Sequence, residues 1–246
     1  MLLRVFLALS LSLLVATPSA AQDQEPPPSN QWRYNVGGGL SLTSGNKDTS
    51  TYNAAYDVTF QAGENHTFKS DALLLRGTTS GELSHDRFGL RLREERRINE
   101  HVFVFGQGQY SRDRFKRIQY LVAPTGDIGL TAASTEATTL TFDVGAGGVW
   151  EKNPYQDVRA SGALTFSEKL RQTVSSTTAL TQSVSALWKT EDLSDAIYEL
   201  GIGLAVGLNS HLQLKIEALN TYNTRPTGTA VRKNDISTVF AVALKN

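Results

Sequence analysis

The sequence predicts an all-β fold, a transmembrane antiparallel up-and-down β-barrel of about twelve strands preceded by a cleaved signal peptide. Three observations carry that reading. Apolar and polar residues alternate with period two from Gln31 almost to the C-terminus. Beyond the first 21 residues no run of 18 or more apolar residues exists, so crossing a membrane with helices is excluded. Aromatic residues concentrate near the expected strand ends, where girdles at the two lipid boundaries would put them.

The N-terminus sets the compartment. Met1 to Arg4 form a short basic start, Val5 to Ala16 a nearly unbroken apolar run, and Ser19-Ala20-Ala21 an A-x-A-like cleavage site. A spanning helix needs about 20 apolar residues, and Thr17-Pro18 ends this run too soon. Residues 1–21 are thus expected to be removed, and residues 22–30, with Pro26 to Pro28, to form an extended linker into a barrel of residues 31–246.

Composition removes several functions. The 24 basic residues balance 24 acidic ones, and loss of Arg4 with the signal leaves 23 against 24, so no electrostatic bias towards nucleic acid exists. No cysteine occurs, which removes lipid anchoring at the new N-terminus, thiolate catalysis, disulfide scaffolds and thiolate zinc sites. Hydrophobic residues make up 40%, a slightly low figure for a globular core, and composition leaves both a soluble β-protein and an outer-membrane barrel open.

Taken in order, the first ribbon places Trp32, Tyr34, Val36, Leu40 and Leu42 on one face and Arg33, Asn35, Ser41 and Thr43 on the other. Gly37 to Gly39 fall in both registers and let a curved sheet bend tightly. The second sets Tyr52, Ala54, Tyr56, Val58 and Phe60 against Asn53, Asp57 and Thr59; the third sets Phe68, Ala72 and Leu74 against Thr67, Lys69 and Asp71. The fourth opposes Phe88, Leu90 and Leu92 to Arg87, Arg91 and Arg93. In the fifth, Val102, Val104 and Tyr110 compete with Phe103 and Phe105 for the apolar side. The valines are preferred because Gln107 and Gln109 then join the polar set.

The sixth ribbon lines up Tyr120, Val122, Pro124, Ile128 and Leu130, with Pro124 either losing one ladder bond or marking a bulge. The seventh aligns Leu140, Phe142, Val144, Ala146 and Trp150 against Asp143 and Glu151; the eighth aligns Val158, Ala160, Leu164 and Phe166. Leu180, Val184, Ala186 and Trp188 outline the ninth within the weakly patterned residues 172–189. Tyr198 to Leu208, Leu212 to Ile216 and Ile236 to Leu244 complete the set.

An even strand number returns the chain to its starting side, and every second link should then be short. INEH and Leu208 to His211 obey on even links, while TSGNKDT, TTSGELSHD and YNTRPTGTAVRKND are longer and lie on odd ones. Thr131 to Ala137 is a long exception on an even link, and Lys152 to Gln156 a short one on an odd link.

An arginine facing lipid at the membrane midplane costs roughly 2–4 kcal/mol, so Arg87, Arg91 and Arg93 are expected to point into the lumen. There Asp57, Asp71, Glu95, Asp143 and Glu199 fall on polar registers and can meet them. The result is either a packed plug of ion pairs or a lining selective for anionic solutes; twelve strands stand between filled barrels of about 8 and open ones of 16 to 18.

Catalytic and metal motifs are absent: no G-x-S-x-G, phosphate-cradling loop or H-E-x-x-H occurs, and His66, His85, His101 and His211 lack metal-ligand spacing. No cofactor is called for. A lipid-modifying barrel enzyme is the weaker alternative; its nearest match, Asn209-Ser210-His211, sits in a tight turn with the wrong order. In SRDRFKR, Arg112, Asp113, Arg114, Lys116 and Arg117 form an outward loop. Either Asp113 pairs with a neighbouring arginine in solvent, or the cations meet lipopolysaccharide phosphates.

The stretch Leu42-Thr43-Ser44-Gly45-Asn46, the run Tyr110 to Phe115, and Thr138-Thr139-Leu140 followed by Gly145 and Gly147 together resemble the salt-induced outer-membrane proteins, a bacterial domain-of-unknown-function family numbered 481. The similarity spans Trp32 to Leu244. It implies a signal-bearing outer-membrane barrel with no assigned catalytic residues and a link to salt stress. One departure concerns assembly: many such barrels end on an aromatic residue read by the assembly machinery, whereas Leu244 holds the apolar place here, followed by Lys245 and Asn246. The expected partners are outer-membrane lipids, lipopolysaccharide and that machinery, with no nucleic acid and with any solute unspecified. A soluble periplasmic β-cup that binds a ligand is the alternative.

Overall fold

The computed structural model describes residues 30–43, 49–226 and 233–245. The expected signal peptide, and the linker apart from Asn30, lie outside the described residues. Twelve strands follow in chain order: β1 (Gln31–Thr43), β2 (Thr49–Ala62), β3 (His66–Thr79), β4 (Glu82–Arg97), β5 (Val102–Asp113), β6 (Ile118–Ser134), β7 (Thr138–Lys152), β8 (Arg159–Thr173), β9 (Thr178–Lys189), β10 (Asp192–Gly207), β11 (Leu212–Asn223) and β12 (Asn234–Lys245). Each pairs antiparallel with its neighbours in sequence, and β1 pairs with β12 to close the barrel.

The apolar register forms the outer wall. Leu40 is 68% exposed, Ile236 67%, Phe240 59% and Ile128 58%. A belt of such residues is unfavourable against water and favourable against hydrocarbon. Aromatic pairs mark its two margins. Trp32 stacks on Phe60 with centroids 4.5 Å apart at the end carrying the chain termini. At the opposite end Phe88 meets Tyr110 at 6.0 Å, and the Trp188 indole N–H donates to the Tyr198 hydroxyl at 3.1 Å. Phe103 and Phe105 point inward and are buried, so β5 turns its valines out.

Links at the terminus-bearing end are uniformly short: residues 63–65, 98–101, 135–137, 174–177 and 208–211. Thr131 to Ala137 is therefore no exception, because β6 runs on to Ser134 after a bulge between Thr131 and Ala133. Lys152 to Gln156 lengthens to a link of residues 153–158. TTSGELSHD corrects in the other direction. Ser80 and Gly81 form a two-residue turn with φ of 53° and 79°, and the flanking residues extend β3 and β4 as a hairpin. Positive φ at both central positions matches the type I′ turn whose twist suits antiparallel strands.

Glycines admit close approaches rather than general flexibility. A Cβ on Gly39 would stand 2.0 Å from the Phe240 carbonyl oxygen, and one on Gly37 3.0 Å from Ala243 Cβ. The closing β1–β12 ladder runs only from Asn35 to Gly38, whereas β1–β2 is paired from Gln31 to Thr43. Pro124 costs a ladder bond without a bulge: pairing of β6 with β7 breaks off at Val122 and resumes in the same register at Thr125.

One polar pair breaks the pattern of the wall. Glu168 shares the outward register with Phe142 and Val184, and the Gln182 amide donates to its Oε1 at 3.3 Å. Gln182 lies six residues below Trp188 on β9, at hydrocarbon depth. Replacing a mutually bonded polar pair with apolar residues of similar size is often stabilising. The double substitution Glu168→Leu/Gln182→Leu is expected to raise the stability of the detergent-folded barrel by about 1–2 kcal/mol, read as a higher urea midpoint; a lower midpoint would mean that this patch packs on something other than lipid.

Candidate functional site

The lumen gathers the charges that the period-two pattern sends to the inner register. Arg93 on β4 is its most enclosed cation among the described residues, with 6% of its side chain exposed. Its guanidinium donates to Glu95 Oε2 at 2.8 and 3.1 Å and to Asp143 Oδ2 at 3.3 Å. The same group lies 3.3 Å from the centroid of the Phe105 ring, and Phe103 flanks it at 5.4 Å. Lys69 adds a bond to Glu95 at 2.9 Å, and Ser167 donates to Asp143 at 2.8 Å. Asp127 on the adjoining wall accepts from Thr125 and Thr165, both at 2.6 Å.

Two glycines make room for this filling. The Phe103 ring occupies the place of a Cβ on Gly129, and the Asp127 carboxylate that of a Cβ on Gly145, each with atoms 2.0 Å from the ideal position. Even an alanine at either site would force the wall or the side chain to move.

The remaining predicted residues fall as follows. Asp57 accepts from Asn35 at 2.8 Å and lies 3.4 Å from the Lys215 ammonium across the β12–β1 seam. Asp71 and Arg91 are partners across the β3–β4 ladder, next to the Asp57–Asp71 pair of β2 and β3. Arg87 on β4 donates to Glu199 on β10 at 3.0 Å and to the Thr221 hydroxyl on β11 at 3.2 Å.

That last contact decides what the lumen can do. Twelve strands about 4.8 Å apart and tilted by about 40° close into a ring about 24 Å across. β4 and β10 are six strands apart in either direction, hence diametrically opposed. An arginine and a glutamate end to end fall short of that diameter, so the barrel is drawn into an oval at this level and barred across its short axis.

A second cation joins the bar from the link between β5 and β6. Here the sequence reading is corrected: Lys116 is 7% exposed and turns inward, its ammonium donating to the Thr221 carbonyl at 3.4 Å and lying 3.9 Å from Asp235. Asp113 is also buried rather than solvated beside an arginine, because its carboxylate accepts the backbone N–H groups of Phe115 and Lys116, both at 3.0 Å. This Asx turn aims Lys116 across the mouth. Burial holds the Lys116 ammonium below the usual lysine range, opposed by Asp235 and reinforced by Arg87. Arg112 pairs with Asp86 at 2.8 Å on the outer rim, and Arg114 and Arg117 are exposed.

Sequence reasoning missed the filling beside the bar. Ile118, Leu121, Ala123, Val149 and Ala163 form a buried apolar cluster on the inner face, joined by Leu187 and Ile197. Below the β7–β8 link, Lys189 bridges Glu151 at 2.7 Å and Asp195 at 3.1 Å, and the Asn153 amide donates to Glu151 at 2.9 Å. Glu151 was readable from its register. Asp195 was not, because the irregularity between Asp192 and Ala196 shifts the β10 register there.

No group of three or more metal-binding side chains occurs among the described residues. In Asn209-Ser210-His211, the Asn209 side chain accepts the backbone N–H groups of His211 and Leu212, so the triplet forms a capped turn.

Solved structures with similar folds include the NanC porin, with a TM-score of 0.51, 11% identity and coverage of 86% of this chain and 98% of that one. The KdgM porin aligns at a TM-score of 0.48 and 6% identity, covering 87% and 98%. The COG4313 outer membrane channel from Pseudomonas putida F1 aligns at 0.48 and 12%, covering 93% and 98%. No curated protein matches the chain. Residues 36–245 match a family described as a protein of unknown function, DUF481, and the chain belongs to that family.

Proposed function

We propose that this chain is an outer-membrane β-barrel protein whose lumen is a barred, charge-lined passage, serving as a structural element or a narrow pore rather than an enzyme. The observation that carries the proposal is the pairing of an apolar outer wall with an enclosed ion network crossed by Arg87, Glu199 and Lys116. A soluble cup would present Leu40, Ile128 and Phe240 to water. The salt-linked role implied by the family resemblance fits such a bar, since its partly exposed Arg87–Glu199 pair weakens as ionic strength rises, though less than a surface pair would.

Lipopolysaccharide phosphates would meet the exposed Arg114 and Arg117 at the outer rim, and the assembly machinery would insert the chain. The test is direct. Full-length protein should fractionate with the outer membrane, resist unfolding in detergent unless heated, and pass small conductances in planar bilayers that grow at higher salt by more than bulk conductivity does. Release by osmotic shock without detergent would overturn the proposal in favour of a soluble periplasmic β-cup.

A further inference from the structure

The outer wall holds one groove that the lumen does not explain. It lies across β4, β5 and β6 at the terminus-bearing end, open to the outside, with a volume of about 530 Å3. Its floor is Gly106 and Gly126, which are partners across the β5–β6 ladder. A Cβ on either would meet nothing within 4 Å, so the space stands open on the outward side. Val104 and Ile128, partners on the same outward register two residues nearer the terminus-bearing end, border it there. Along its β4 side stand Glu94, level with the glycine floor, and Arg96, level with Val104, with His66 of β3 beside Arg96.

This combination specifies an amphiphile. A glycine-floored trough in a hydrocarbon-facing wall cannot stay empty, because water gains too few partners there and lipid chains are at hand. Its polar side offers both signs of charge: Arg96 is exposed, and Glu94 and His66 stand 3.9 Å apart with 60% and 46% of their side chains exposed. A guanidinium forks onto phosphate oxygens, and a carboxylate accepts from an ammonium.

We propose that the groove binds one zwitterionic glycerophospholipid of the periplasmic leaflet, with its phosphate on Arg96, its amine at Glu94 and an acyl chain laid over Gly106 and Gly126. The proposal rests on the reading of the barrel as membrane-spanning. Its distinguishing content is a single site with a headgroup preference, where a uniform wall would hold only an exchanging annulus of lipid.

The experiment uses the full chain inserted into vesicles of phosphatidylethanolamine and phosphatidylglycerol, extracted in mild detergent and weighed by native mass spectrometry. The unaltered protein should retain one phosphatidylethanolamine. Gly106→Leu/Gly126→Leu, which fills the trough with outward apolar groups that strands tolerate in lipid, should abolish retention. Arg96→Gln should reduce it several-fold, Glu94→Gln should erase the preference over phosphatidylglycerol, and Leu204→Ala on the opposite wall should change nothing. Equal retention by the unaltered protein and the double leucine variant, both still heat-modifiable barrels, would overturn the site while leaving the spanning reading intact. A chain that fails to insert into the vesicles would overturn that reading and the site with it.

Discussion

Substitution of Arg93 by alanine is expected to destabilise the barrel by about 3–5 kcal/mol, the usual cost of removing one partner from a buried ion pair. The reason is what remains behind. Asp143 is 4% exposed at its side chain and keeps only Ser167 and a Lys169 ammonium 4.0 Å away. Glu95 retains Lys69, which should hold the loss towards the lower end of the range. Contact of the guanidinium with the Phe105 face adds roughly 1–2 kcal/mol when desolvated, and Phe103 and Phe105 would border a void in its absence.

Urea titration of the folded barrel in detergent gives the measurement, with the heat-modifiability midpoint as a second reading. Two companions separate the contributions. Arg93→Lys keeps the charge but loses the fork and the planar stacking surface, so it should recover only part of the stability. Arg93→Ala/Asp143→Ala removes both charges and should cost less than the sum of the single substitutions. An unchanged midpoint for Arg93→Ala would mean that the lumen is wet enough to solvate both carboxylates, and the plug would then be no plug.

Most of the wall was legible because a spanning strand has few options. With one face against hydrocarbon and the other enclosed, period two fixes the register over long stretches, and Val36, Ile128, Val144 and Phe240 announce the outward face without ambiguity. The inner face is legible only as polar. Nothing in the spacing of Arg87 and Glu199, 112 positions apart, says that they meet; that follows from closure and from the oval section. Lys116 was misplaced for a local reason, since a basic stretch between strands reads as solvated unless one notices that Asp113 can accept two backbone N–H groups and turn the chain inward. Local irregularities hid the rest. The bulge opposite Gly77 and Thr78 and the shift between Asp192 and Ala196 each change which residues face inward near the mouth. Glu168 carries a different lesson, because on register alone it belongs to the outer wall, where its charge looks misplaced until Gln182 is found beside it.

Removing the bar should change conductance more than any other alteration. Arg87→Ala/Lys116→Ala deletes the side chains that cross from β4 and from the β5–β6 link to β10, β11 and β12, and is expected to raise single-channel conductance several-fold in planar bilayers. The far side of the lumen has only wall-hugging pairs, Asp57 with Lys215 and Asn35 with Gln213, over the small residues Gly37, Ala55, Ala241 and Ala243. Selectivity should move as well, because Glu199 and Asp235 lose their cationic partners at the mouth and will favour cations, by a margin that shrinks as salt screens them. Lys116→Met separates charge from bulk. Burial already disfavours the ammonium and holds it below the usual lysine range, so methionine should leave the mouth shut and the fold as stable or more so. The sign follows for pH: a lysine depressed in the folded state gives its full stability above the unfolded value near 10.5, and loses some as pH falls through the lower folded value. Raising pH through that interval should therefore tighten the unaltered protein more than it tightens Lys116→Met. Equal conductance in the double alanine variant and the unaltered protein would place the constriction elsewhere, at the Arg93 cluster or the apolar filling around Val149, and Arg87 would be a strut rather than a bar.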